Sequence, residues 1–421
     1  MSEPRKSCPI TIKSSRWRLR KKRLDFVITD KLESLDLEHW ESLNKRGSVF
    51  LSPAYLQGIK KGLGDQSDFY YTLFSQKDQP VGIAVFQITH FEADELGSNL
   101  NDKSSFVSFL SKTFVNEDRR VKVLLCGNAF ATGEHGYVFD EKVDMQEAMD
   151  GVCYALTEVL NQEKDRGHKI SAVIIKDFYK GTYHHTVGLE RCGFSDFSVD
   201  QNMILPLLPE WKSFDDYLQS MVTKFRTKAN AAMKRSEVLE VHECSLDELI
   251  QYKDAYYQLY ENVFNKADFR LGKMTPEAFV ELKSSLGDRM IIRSYRYEGK
   301  LVGFSSALLC SHAIDAHLVG IDYSVSIDLA LYSRMLYDYI ALGIDHRAEA
   351  IVFGRTAAEI KSTVGAIPVD LKCCVRHPGR ISNWLLSCFF SYVKPGNYPI
   401  RQPWKQPVKV ELDQRVGWME Q

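Results

Sequence analysis

The 421 residues predict an α/β protein built twice over: two tandem domains, each a mixed central sheet flanked by helices. Three observations lead there. The chain exceeds what one hydrophobic core comfortably organises. Two β-hairpins of similar make-up stand far apart in it. After each hairpin the same order of elements follows: strand, helix, strand, helix, strand.

The first hairpin pairs Asp68-Phe69-Tyr70-Tyr71-Thr72-Leu73-Phe74 with Val81-Gly82-Ile83-Ala84-Val85-Phe86 across a polar turn, Gln76 to Pro80. The second pairs Met290 to Tyr295 with Leu301 to Leu308 across Glu298-Gly299-Lys300. Turn residues between β-branched and aromatic runs are a hairpin signal, and both return strands carry an early Val-Gly. Val121 to Cys126 and Ala313 to Ile321 are the next strands. The helix from about Met145 aligns Met145, Met149, Val152, Leu156 and Val159 on one stripe; Leu329, Tyr332, Met335 and Tyr339 do the same in the second half. Ile170 to Ile175 and Ala350 to Phe353 lack alternation, as strands buried on both faces do. Each half then has a short helix containing Thr-Val-Gly, at 186–188 and 363–365. Between the halves a helix capped by Ser213 begins near Trp211, and Lys224-Phe225-Arg226-Thr227-Lys228 opens a basic helix reaching Arg235.

This element order resembles the GNAT fold of N-acyltransferases, duplicated. The basic helix leading into the second half resembles the Fem-type and related peptidoglycan-biosynthesis or recognition acyltransferases. So does Gly354-Arg355-Thr356-Ala357-Ala358-Glu359-Ile360-Lys361-Ser362-Thr363-Val364-Gly365, a strand-to-helix turn in which Lys and Gly follow at set distances. The resemblance spans roughly Leu35 to Pro403. It implies acyl transfer to an amine, with no bound cofactor and no metal, and with acyl-CoA or another acyl donor as co-substrate. One departure narrows the donor. Single-domain relatives cradle a pyrophosphate on a Gly-rich loop, whereas Gly320-Ile321-Asp322-Tyr323-Ser324-Val325-Ser326-Ile327-Asp328 has no glycine pair and two carboxylates. The loop Gly127 to Gly136 is richer in glycine but does not match either. A long acyl thioester is therefore the expected donor and acetyl-CoA a poor one. Aminoacyl-tRNA is the second-ranked donor, since no heptad run supplies a tRNA-binding arm. A recognition protein that kept the fold without the chemistry is the third reading.

Acyl transfer to an amine needs a base, oxyanion donors and a proton for the leaving group. Alternation along Ala313 to Ile321 puts Asp315, His317 and Val319 on one face. The expectation is His317 as base with Asp315 orienting it or binding the amine, and Glu359 in the same catalytic group. Against it stands a core histidine with an ordinary hydrogen bond. Arg355, Thr356 and Lys361 sit at the end of a strand, where ligands of open α/β sheets gather. Lys361, matching the family-like lysine, is expected to meet a phosphate or carboxylate. Arg355 and Glu359 are also spaced for a surface ion pair. Asp322 and Tyr323, and the cations Lys224, Arg226 and Lys228, are further substrate-binding candidates. Glu134 and His135 form the rival acid-base pair; if they belong to the centre, the cleft lies between the halves.

The composition is that of an ordinary globular protein. A net charge of -1 gives no global field for DNA, and nine cysteines without metal-ligand spacing fit a reducing compartment. The expected layout is a basic arm over 1–23, a first domain over 24–200, a connecting segment with the basic helix over 201–240, a second, catalytic domain over 241–378, and an apolar helix and tail over 379–421. The arm lacks a signal-peptide core, and the apolar run over 384–393 is too short to span a bilayer. The expected location is the cytoplasm, with peripheral contact to the inner membrane.

Overall fold

A computed structural model describes residues 24–45, 47–92, 120–266, 272–379, 382–383, 396 and 398–419. The basic arm over 1–23 and the apolar run over 384–393 lie outside these residues.

Among the described residues thirteen strands form one mixed sheet. The first half contributes β1 (Asp25–Thr29), β2 (Ser67–Gln76), β3 (Gln79–Glu92), β4 (Arg120–Cys126), β5 (Tyr137–Phe139), β6 (Ala172–Tyr179) and β7 (Ser195–Pro206). The second contributes β8 (Glu240–Glu243), β9 (Met290–Tyr297), β10 (Lys300–Leu309), β11 (Ala313–Ile321), β12 (Ala350–Gly354) and β13 (Ile367–Arg376). Their spatial order is β1-β2-β3-β4-β6-β13-β7-β12-β11-β10-β9-β8, with β5 pairing β3. Both hairpins therefore take equivalent places, second and third from opposite edges. Each turns through two residues of positive φ, Lys77-Asp78 and Glu298-Gly299, the backbone hand that matches strand twist. Each half also has one parallel pair, β4 with β6 and β11 with β12.

At the centre the halves exchange strands. β13 pairs β6 of the first half, and β7 pairs β12 of the second. The two exchanged strands then pair with each other. Val369 and Leu371, almost wholly buried, are packed in this seam. Neither half can complete its hydrogen-bond ladder without the other's last strand.

Among the described residues ten α-helices of six residues or more flank the sheet, beside a single helical turn at Tyr323–Ser326: α1 (Leu37–Leu43), α2 (Pro53–Leu63), α3 (Met145–Asp165), α4 (Phe214–Ser220), α5 (Thr223–Arg235), α6 (Leu246–Phe264), α7 (Pro276–Leu286), α8 (Leu331–Asp345), α9 (Ala358–Thr363) and α10 (Gln406–Met419). The predicted stripe of α3 is buried at Met149, Val152, Leu156 and Val159. Helix α4 starts at Phe214 rather than Trp211, because Ser213 and Asp216 close a reciprocal capping box there. The duplication is also written in α2 and α7. Both follow a capping Ser52 or Thr275, open on proline, and stop at Gly64 or Gly287 with φ near 55°. Both run into Gly-Asp, at 64–65 and 287–288. The two helices pack on each other where Gly62 lies against Ala278, and Thr275 Oγ1 donates to the Gly62 carbonyl at 2.6 Å. The Thr-Val-Gly echo does not mark equivalent sites. Gly365 (φ 96°) ends α9, and its counterpart is Gly193 (φ 80°), which ends the 3-10 helix Lys180–Cys192. Gly188 lies inside that helix.

Candidate active site between the two halves

The expected alternation of Asp315, His317 and Val319 fails at one point. The ladder between β10 and β11 pairs Ser306 with Leu318 but Ala307 with Ala316, leaving His317 as the extra residue of a β-bulge. Beyond a bulge the facing of side chains is offset by one. Asp315 and His317 share a face, but Leu318 joins them against the core of α2, α6 and α7, and Val319 packs on the opposite side. Side chains hold the bulge open. Leu318 N donates to Ser306 Oγ (3.0 Å), and the Tyr339 hydroxyl donates to the Ser306 carbonyl (2.9 Å).

The first half breaks at the same topological position. β4 ends at Cys126, and its continuation β5 resumes pairing with β3 at Tyr137. Between them the loop 127–136 leaves the sheet through a neck where Gly136 lies so close to Cys126 that a Cβ would sit 3.0 Å from its backbone. The one-residue bulge and this longer loop thus occupy corresponding places, and they meet. Phe50 lies between them, 4.5 Å from the His135 ring centroid and 6.3 Å from that of His317.

Two buried charge systems flank this meeting point. In the first, Asp177 on β6 is a non-glycine residue at φ 67°, a conformation that costs energy and persists only where surroundings enforce it. Its carboxylate accepts hydrogen bonds from Gly133 N (3.1 Å), Cys373 Sγ (3.3 Å) and the Arg355 guanidinium, with Lys176 Nζ 3.6 Å away. Lys176 Nζ also donates to the Asn128 and Ala131 carbonyls, tying down the loop. Burial and then the Arg355 charge bring the Lys176 ammonium down to about 7. In the second, Lys361 of α9 donates to the Phe353 and Gly354 carbonyls at 2.6 and 3.2 Å. Burial lowers it to about 7, against the pull of Asp315. Burial raises the Asp315 carboxyl to about 7, with Lys361 opposing. Among the described residues no donor lies within hydrogen-bond distance of Asp315.

The histidines differ. His135 Nδ1 meets Ser48 Oγ at 3.0 Å, and burial followed by the Lys176 charge holds the ring down at about 4. Burial alone brings His317 to about 4, and neither of its ring nitrogens has a partner or reaches solvent. Arg355 Nε and Asn202 Oδ1 are likewise buried and unpaired. Asn202 Nδ2 donates to the Tyr179 hydroxyl (3.0 Å), and Asn128 Nδ2 to the Tyr55 hydroxyl (3.0 Å). Burial first holds both phenols protonated well above their ordinary range, helped by the Asp315 charge at Tyr55 and by the Glu134 and then the Asp315 charge at Tyr179. Unsatisfied polar atoms are rare in protein interiors. Here four line one junction, from strands or strand ends of both halves.

The predicted candidates divide accordingly. Asp315, His317, Lys361, Arg355, Glu134 and His135 come together, with Glu134 accepting from Thr182 Oγ1 beside Tyr179. Lys361 spends its ammonium on two main-chain carbonyls. The Arg355–Glu359 pair is not formed: Arg355 turns inward to Asp177, and exposed Glu359 bonds Arg401. Thr356 is exposed nearby. Asp322 caps the turn Tyr323–Ser326 and faces Lys300 at 3.2 Å; Lys266 Nζ sits 3.3 Å over the Tyr323 ring. Lys224 and Lys228 lie on the solvent face of α5, and Arg226 donates to Gln219. The reading from sequence missed Tyr55, Asn128, Lys176, Asp177, Tyr179 and Asn202. One signal was present: Lys176-Asp177 interrupts an otherwise apolar buried strand. Among the described residues no His, Cys, Asp and Glu group forms a metal site.

No family model matches the chain, and no curated relative matches it. Among solved structures, a tandem GNAT protein from the clavulanic acid biosynthesis pathway, without acetyl-CoA, is similar at TM-score 0.50 and 9% identity, over 85% of this chain and 99% of that one. FemX is similar at TM-score 0.49 and 11% identity, covering 81% of this chain and 96% of its own. The C-terminal domain of a putative lysylphosphatidylglycerol synthetase from Agrobacterium fabrum is similar at TM-score 0.45 and 10% identity, with 84% and 95% covered. The likeness is one of fold, and the fold is the tandem GNAT arrangement.

Proposed function

We propose that this protein is an N-acyltransferase whose centre lies between the halves, with Asp315 and His317 as the acting pair. The observation carrying this reading is the row of unpaired buried polar atoms beside an unpaired carboxyl. Such groups are costly to bury unless a ligand completes them. Their properties support roles opposite to those expected from sequence. A base works best when its pKa lies near the operating pH. Asp315, brought to about 7, fits that task, whereas His317 near 4 stays neutral and offers a ring N–H to the developing oxyanion. Asp315 takes the proton from the attacking ammonium; the amine nitrogen then bonds the thioester carbonyl carbon, the C–S bond breaks, and the departing thiolate takes up the second proton that the nitrogen releases.

The donor is a long acyl thioester and the acceptor an amine of a lipid or cell-envelope precursor. In support, the turn after β11 is closed by Asp322 and Lys300 instead of a glycine cradle. A recognition protein is the second reading, favoured by the enclosure of the His317 nitrogens. The test offers acetyl-CoA, a long-chain acyl-CoA and charged tRNA side by side to a panel of amines, with products read by mass spectrometry. Transfer from the long-chain thioester is expected. Efficient acetyl transfer would overturn the donor assignment, aminoacyl transfer would move the enzyme to the tRNA-dependent class, and transfer from none would leave the recognition reading.

A further inference from the structure

An exposed surface along α5 and the segments joined to its ends carries its own pattern. Residues 403–405 run beside 220–222: Met221 and Trp404 form a bridge, Val222 N donates to the Pro403 carbonyl, and Lys405 N donates to the Ser220 carbonyl. This sets exposed Lys405 next to the first turn of α5. The helix then presents Lys224, Lys228 and Lys234 on its solvent face, while Ala229 and Ala232 are buried beneath. At its far end the Arg235 guanidinium binds the carbonyls of Ile327 and Asp328. That contact fixes the turn carrying Ile327, which is 82% exposed. Val238, just past the helix, is 57% exposed, and Val410 in α10 is 54% exposed.

Two features of this ridge need explaining together. Lys224, Lys228, Lys234 and Lys405 form no ion pair with a described carboxylate, and α5 contains no acid at all. An 82% exposed isoleucine stands at the end of the row. A thirteen-residue helix is about 20 Å long, so the cations spread along a line rather than converge on a pocket. Aligned cations suit a phosphate-bearing surface, but a nucleic acid gains nothing from exposed aliphatic side chains. An anionic bilayer uses both: its surface potential attracts the lysines, and its acyl boundary takes up the aliphatics.

We infer that the ridge of Lys405, α5 and the Ile327 turn is a peripheral docking surface for an anionic lipid bilayer. The inference deepens the acyl-transfer reading, since an amine carried by a lipid is met at such a surface, but its test does not use catalysis. The full chain is sedimented with vesicles of phosphatidylcholine alone, or with about one-third phosphatidylglycerol. Binding is expected to the anionic vesicles only, and to fall as salt shortens the screening length. Each lysine near the surface is worth about fivefold in partitioning, so K234Q with K405Q should weaken it about thirtyfold. I327S should weaken it about tenfold, by removing the inserted side chain. Both variants should keep the parent's thermal unfolding and its turnover of a water-soluble amine. Equal binding to neutral vesicles, no binding to either, undiminished binding by the variants, or tighter binding to an RNA duplex than to vesicles would each overturn the proposal. A parent that binds anionic vesicles yet transfers no acyl group would sink the catalytic reading and leave this one standing.

Discussion

Replacing Asp315 by asparagine removes one ionisable oxygen while keeping the shape of the side chain. Burial raises this carboxyl from 3.8 to about 7, and no described donor compensates it. A rise of that size corresponds to roughly 4 kcal/mol between ionised and neutral forms in the folded state. The sign follows from the raised value. Asp315 favours the folded state most below about 4, and this contribution is lost as pH climbs through 7. The Lys361 ammonium opposes the loss only while it is charged, and burial brings that group to about 7 too. D315N should therefore match the parent's stability near pH 4 and exceed it by up to roughly 4 kcal/mol above pH 8. Urea unfolding at pH 4, 6 and 8 reads this directly. Turnover should move the other way, falling about a hundredfold to ten-thousandfold, the usual worth of a positioned base. A stability gap that stays flat with pH would refute the burial argument. Undiminished turnover would refute the role of Asp315.

Three other perturbations separate chemistry from architecture. H317A should cut turnover by about two to four orders of magnitude in steady-state assays, while H135A leaves most activity; the reverse outcome would move the centre to the loop of the first half. R355A strips the buried Asp177 carboxylate of its guanidinium and should destabilise by about 3–5 kcal/mol in urea unfolding, whereas D177N, which tolerates the positive φ, should cost less. G62A would set a methyl 2.3 Å from the Ala278 Cα and should destabilise by about 1–3 kcal/mol, read as a lowered melting temperature, with catalytic pKa values unmoved.

Local chemistry made much of this protein legible. The hairpins follow from turn residues between apolar runs, and α3 follows from a 3.6-residue stripe that became a buried face. Asp315 and His317 could be placed on one face because strand periodicity is two, and that held as far as the bulge. The duplication was legible because the same elements recur in order after each hairpin; the matching helices opened by Ser52-Pro53 and Thr275-Pro276 became visible only in the structure. What no local pattern contains is the partner of a strand or a buried charge. β7 and β13 could each have closed their own half; only the assembled sheet reveals that they trade places. The bulge at His317 depends on Ser306 and Tyr339, which reach it from another strand and a helix. Asp177 meets Arg355 across 178 residues of chain, and Phe50 brings His135 and His317 to one ring. Burial then moved the two groups in opposite directions, which is the basis of the roles proposed for them: desolvation disfavours whichever form is charged and so raises the Asp315 carboxyl while it lowers the His317 imidazole.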